Sequence, residues 1–222
     1  MEIRVNKLKD RFDAIIFDWD GTLVDSIDWI VQCLQMAARK NDCKIPEEQA
    51  AKDIIGLSIQ KAMEILFPGI NQKTQEQLIA CYSQEFFSKQ ITEKDLFTGV
   101  KEMLLKFKQS GYQLAVATGK SHASVTRAIQ ATGLADFFHI IRCADQTASK
   151  PQPDMLEEII NALSVKKERV VMVGDSVHDM QMAKNAGIPA IAVACGANSS
   201  AQLQCYQPIL NLQQTTELLE RF

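Results

Sequence analysis

The stretch AIIFDWDGTLVDS, residues 14–26, decides how the rest of the chain reads. An apolar run ends on Asp18, Trp19 separates it from Asp20, and Gly21 and Thr22 follow. Short and apolar throughout, residues 12–17 read as a buried strand. Two carboxylates this close repel each other, and burying them is costly unless something compensates. The strand therefore delivers acids to a place where other groups must meet them.

Working outward, the pattern changes character twice. From about Ser26 to Lys89 the spacing is helical. Ile27, Ile30, Val31, Leu34 and Ala38 form one apolar face, with Ser26 placed to cap it. Pro46 suits the first turn of a helix stopping near Gly56, and Ser58 can cap the next. Thr74 and Gln77 have capping-box spacing before Leu78, Tyr82 and Phe86. After about Asp95, helices and strands alternate. Strands are expected in YQLAVATG, FHIIRC, VVMVGDS and PAIAVAC. Helices are expected over Val100–Lys108, Ser121–Thr132, Pro153–Leu163 and Val177–Ala186, with a short one from Thr215. Such alternation predicts an α/β fold, a Rossmann-like parallel sheet with helices on both faces. The domains expected are an α/β core over 1–23 and 94–222 and an inserted all-helical domain over 24–93.

In a sheet of this kind ligands bind beyond the carboxyl ends of the strands. Asp18 and Asp20, Thr118 and Gly119, and Gly174 and Asp175 all fall just past a predicted strand, and Lys150 lies in the loop after FHIIRC. Four loops thus bring carboxylates, a hydroxyl and a lysine to one edge, with the helical stretch placed over it as a lid. Such a set suits a hard cation and a phosphate. Mg²⁺ takes oxygen ligands, a carboxylate can attack phosphorus, turn N–H groups hold phosphate oxygens, and a lysine neutralises phosphoryl charge. Taken singly, each piece has a plainer reading: Asp18 and Asp20 as turn or cap residues, Thr118-Gly119 as a turn, Lys150 as a solvated charge, Asp175 and Asp179 as acids at a helix start. Only together do they point to one site.

DWDGTLVDS, VATGKS, SKPQPDM and VGDSVHDMQMAKNAG, in this order and spacing, resemble the four motifs of the haloacid-dehalogenase (HAD) superfamily, from Phe12 to about Cys195. The helical insert after the first motif resembles the α-helical cap of the phosphoglycolate phosphatase and β-phosphoglucomutase branch. The resemblance implies Asp18 as nucleophile and Mg²⁺ ligand. It implies Asp20 as a ligand through its backbone carbonyl and as general acid, then base, through its side chain. Thr118 and the Gly119 amide would hold phosphate oxygens, Lys150 both the phosphate and Asp18. Asp175 would bind the metal, and Asp179 would orient metal-bound water or Lys150. The segment that sets substrate specificity would fall at Gly56, Leu57 and Ser58, although Gly56 and Ser58 also suit helix caps. Two departures stand out: Gly119 where many relatives carry Asn, and Phe97-Thr98-Gly99 where Pro-Gly is usual.

Asp20 favours phosphate-ester chemistry over dehalogenation, in which no leaving oxygen needs a proton. The implied activity is a phosphatase of a small phosphorylated metabolite: phosphoglycolate, a sugar phosphate or a nucleotide. A phosphomutase is the alternative. An idle binding protein would be expected to have lost one of these acids or the lysine. The remaining numbers bound the partners. The chain has 222 residues, 46% hydrophobic and 23% charged, with a net charge of −3, which offers no basic field for a nucleic acid polymer. No apolar run approaches the ~20 residues of a membrane span. Residues 1–10 are too charged for a signal peptide. Six scattered cysteines without metal-ligand spacing read as free thiols. A cytoplasmic protein, monomer or homodimer, is expected.

Overall fold

β1 (Ala14–Phe17) is buried along its whole length. In the computed structural model, which describes Leu8 and residues 10–222, it lies near the middle of a six-stranded sheet. Residues 1–7 and Lys9, part of the expected core segment 1–23 and of the charged N-terminal stretch, lie outside the described residues. Four helices follow β1: α1 (Ile27–Lys40), α2 (Glu48–Lys52), α3 (Ile59–Leu66) and α4 (Gln72–Ser88). Then helices and strands alternate: α5 (Val100–Gln109), β2 (Gln113–Thr118), α6 (His122–Ala131), β3 (Ile140–Cys143), α7 (Asp154–Leu163), β4 (Val170–Gly174), α8 (Val177–Ala186) and β5 (Ala190–Val193). α9 (Ser200–Gln204) and β6 (Leu210–Leu212) complete the order.

Every pairing is parallel, in the order β3-β2-β1-β4-β5-β6. Ala14 stands opposite Gln113 of β2 on one side and Val170 of β4 on the other. The chain steps outward from β1 to β3, then returns to build the other half, so strand order reverses beside β1. A crevice forms at such a reversal, outside the strands' carboxyl ends. Side-chain alternation sorts the two faces. Ile15, Phe17, Val116 and Val173 pack in a core with Met103, Leu104 and Phe107 of α5. Ala14, Ile16, Ala117 and Met172 face Met155 and Ile159 of α7 and Met182 of α8. The α/β fold with helices on both faces is as expected.

The helical stretch leaves and returns at one point. Val24 bridges Leu96 in antiparallel fashion, Asp25 N–H donates to Asp95 O at 2.8 Å, and Phe97 N–H to Leu23 O at 3.1 Å. α1 buries Ile27, Ile30, Val31 and Leu34, and its Trp29 Nε1 donates to Phe86 O at 3.3 Å on α4. No helix among the described residues is long and apolar enough to cross a membrane.

Local details differ from the sequence reading. Ser26 precedes α1 without capping it with its side chain; its hydroxyl donates to Asp20 Oδ1 at 2.6 Å instead, drawn by a carboxylate. α4 starts earlier than Thr74 and Gln77 imply, because Asn71 Oδ1 accepts from Thr74 N–H at 2.9 Å and is the cap. The C-terminal helix is a 3₁₀ segment, Thr215–Glu220. α9 and β6 were not anticipated: each is a few residues long, and β6 is interrupted by the polar Asn211.

Candidate active site

The strand ends converge as expected. Asp18 follows β1, Thr118 ends β2, and Asp175 follows β4. Asp18, Asp20, Thr118, Lys150, Asp175 and Asp179 are all buried. Asp179 owes its place to a capping box. Ser176 Oγ accepts from Asp179 N–H, and Asp179 Oδ2 accepts from Ser176 N–H at 3.0 Å and Ser176 Oγ at 2.6 Å. Its other oxygen, Oδ1, accepts from Lys150 Nζ at 2.7 Å. Lys150 Nζ is also 2.7 Å from Asp18 Oδ1. That contact is a buried ion pair.

Asp175 is held by Thr22 Oγ1 on Oδ1 and by Ala197 N–H on Oδ2, each at 2.7 Å. The Thr22 hydroxyl is thus committed to Asp175. Gly21 crosses this carboxylate at φ +75°, and a Cβ there would overlap Asp175 Oδ2.

The charges do not balance. Carboxylate oxygens of Asp18, Asp175 and Asp179 lie within 4.8 Å of one another, against the single ammonium of Lys150. Burial, reinforced by Asp179, pushes the Asp18 carboxyl well above its ordinary range despite Lys150. The same two causes raise Asp175 to about 7, although Ala197 and Thr22 favour its charge. For Lys150 burial opposes the charge, but Asp179 and Asp18 outweigh it and keep the amine protonated. Three buried acids against one base fit a divalent cation with oxygen ligands. Each Asp175 oxygen accepts one hydrogen bond and keeps a lone pair, whereas Asp179 Oδ2 accepts two from Ser176 and Oδ1 is held by the Lys150 ammonium.

In front of the cluster is a cavity of about 130 Å³. Asp18, Asp20, Thr118 and Gly119 line it, and so do Gly56 and Leu57 from the segment before α3. Ser58 does not. Its Oγ caps α3 and its N–H donates to Ser149 Oγ at 2.8 Å. Lys150, Asp175 and Asp179 sit behind the cavity wall. Two contributors were given no role by the sequence reading. Lys120 is paired to Asp20 Oδ2 at 2.9 Å and lies 4.1 Å from the Phe86 ring centroid on α4. His178 Nε2 lies 2.8 Å from Asp53 O, tying the loop after α2 to α8. The only sequence signal for Lys120 was its place inside VATGKS, while His178 gave none.

A parallel α/β sheet with carboxylates and a lysine gathered at its strand-order reversal defines a class of hydrolytic and phosphoryl-handling enzymes. The chain belongs to the haloacid dehalogenase-like hydrolase family, whose pattern matches residues 15–193. It is 36% identical over 199 residues to the "Probable phosphatase IndB" of Dickeya dadantii strain 3937, covering 87% of this chain and 86% of that protein. It is 27% identical over 211 residues to the pyrophosphatase PpaX of Halalkalibacterium halodurans, covering 95% and 96%. Among solved structures, a β-phosphoglucomutase from Clostridium difficile superposes with a TM-score of 0.82 at 17% identity, covering 93% of each chain. At that identity the likeness is one of fold.

Proposed function

We propose that the protein is a Mg²⁺-dependent phosphatase that hydrolyses a small phosphate monoester through a phosphorylated Asp18. The observation that carries this reading is the buried cluster of Asp18, Lys150, Asp175 and Asp179 opening onto a cavity flanked by Asp20. The phosphatase and pyrophosphatase names of two full-length relatives support it.

In this reading an Asp18 oxygen attacks phosphorus while Asp20 protonates the departing alkoxide. Asp20 then takes a proton from the water that attacks the phosphoaspartate, which releases phosphate and restores Asp18. Ser26 and Lys120 hold Asp20 by one carboxylate oxygen each, 2.6 and 2.9 Å away. Lys150 fixes Asp18 and offers its charge to the phosphoryl oxygens, while the Thr118 hydroxyl and the Gly119 N–H hold them. Asp18, Asp175 and the Asp20 carbonyl would hold Mg²⁺, with Asp179 orienting Lys150. When bound, the ion neutralises the phosphate and the acid cluster. α1–α4 and the segment before α3 act as the cap over the site. The volume of the cavity, about 130 Å³, favours a small ester within the range left open by the sequence.

The test is phosphate release from a panel of monoesters with Mg²⁺ or EDTA. Metal-dependent release that Asp18→Asn reduces to background, with the circular dichroism of the fold retained, is the expected result. Hydrolysis persisting in Asp18→Asn overturns the nucleophile. Conversion of β-glucose 1-phosphate to the 6-phosphate without net release would make the protein a phosphomutase.

A further inference from the structure

The cavity is apolar where a leaving group would sit. Beyond the phosphate-facing residues its wall is Ile30 and Leu34 of α1, Leu57, and Tyr82, Phe86 and Phe87 of α4. Lys120 is the single cation among the lining residues, and it is already engaged by Asp20 and the Phe86 ring. Arg39, the one arginine of the helical stretch, is exposed and does not line the cavity. The remaining charges, Asp18 and Asp20, repel a second anion. The neutral polar groups on hand are hydroxyls, such as those of Tyr82 and Ser83.

The cavity is confined on the side of the segment before α3. The backbone of Gly56 and Leu57 presses directly on Gly119, so a Cβ at 119 would overlap both carbonyl oxygens. Ser149 and His178 hold the same segment from the core side. An engineered cavity of about 150 Å³ admits one benzene ring, and here the phosphate must share the space.

Resting on the phosphatase reading, we infer that the substrate is the phosphate monoester of a small, uncharged alcohol with an apolar carbon body, and not a carboxylated or doubly phosphorylated compound. The phosphate is met by Lys150 and the metal. A carboxylate or second phosphate would meet mostly aliphatic and aromatic carbon, with Lys120 already held by Asp20 and only neutral hydroxyls (Tyr82, Ser83, Ser121, Ser124) besides.

The experiment compares kcat/KM for isobutyl phosphate, phosphoglycolate and inorganic pyrophosphate in Mg²⁺. The expected result is isobutyl phosphate ahead of both anionic compounds by roughly tenfold or more, the discrimination expected against an unpaired buried charge. Ser83→Arg adds a guanidinium at the half-buried edge of the wall, and should move the ratio towards phosphoglycolate by roughly tenfold. Phosphoglycolate or pyrophosphate matching or exceeding isobutyl phosphate in the unmodified protein overturns this substrate class and leaves the phosphatase standing. Absence of hydrolysis of all three and of the wider monoester panel overturns the phosphatase reading itself, and the substrate class with it.

Discussion

Lys150 holds the electrostatics of the site on one ammonium. It is 1% exposed and sits between Asp18 and Asp179, so replacing it with a neutral side chain strands buried carboxylates rather than removing one contact. Lys150→Met keeps most of the volume and is expected to destabilise the metal-free protein by about 3–5 kcal/mol, the range for breaking a buried ion pair from one side. Urea unfolding in EDTA measures this. A loss under ~1 kcal/mol would place Lys150 among surface-like pairs and refute the charge accounting. Asp18 and Asp175 were legible in the sequence because each sits just past a strand end, and Lys150 because it lies in the loop after β3, so that chain order brings all three to the common edge. The pairing of Lys120 with Asp20 was not, since it spans 100 positions and depends on which rotamers α4 leaves open. Ser26 misled for a related reason: local spacing marks it as a cap, but a carboxylate six residues back along the chain is the stronger acceptor.

At the scale of elements, the segment between α2 and α3 is the joint between helices and sheet. It is held by Ser58 on Ser149, by Asp53 on His178, and by the bare backbone of Gly119 beneath Gly56 and Leu57. The glycine at 119, a departure from the Asn of many relatives, has a steric cause here: any side chain would meet backbone, which cannot swing aside. Gly119→Ala is expected to leave the sheet intact, speed amide exchange across residues 53–58, and lower kcat/KM on any accepted ester by roughly tenfold, the scale of a small misplacement at a reacting centre. Unchanged exchange and unchanged kinetics would show that the segment does not close on Gly119 in solution. The strands were readable because buried parallel strands are short continuous apolar runs. β6, three residues with Asn211 in the middle, has no such run, and only its pairing with β5 makes it a strand.

Over the whole molecule, the acid cluster couples stability to pH and to metal. The folded, metal-free protein holds Asp175 at about 7 and Asp18 well above the ordinary range, against 3.8 for the unfolded groups. A raised carboxyl contributes stability that is fully present below the unfolded value and is lost as pH rises through the folded one. The metal-free protein is therefore expected to lose this contribution between about pH 4 and pH 7. In the proposed reading Mg²⁺ would bind the ionised cluster and displace protons at low pH, so its thermal stabilisation is expected to be larger at pH 8 than at pH 5. Comparing the shift with and without Mg²⁺ at each pH also cancels His178, whose burial lowers its pKa and works in the opposite sense. A Mg²⁺ shift that is equal at both pH values, or larger at pH 5, would contradict the arrangement.

The antiparallel bridge between Val24 and Leu96 carries one more consequence. Because the two connecting segments run side by side, the ~70 residues between them form a detachable cassette whose ends nearly touch, the geometry that makes domain insertion tolerable. The sheet and its acid cluster are built without those residues, while the apolar wall of the cavity comes largely from them. Asp20 is nonetheless held by Ser26 from within that stretch, so a foreign cassette grafted at the Val24–Leu96 junction is expected to alter substrate preference without loss of turnover only where it keeps a hydroxyl at that position.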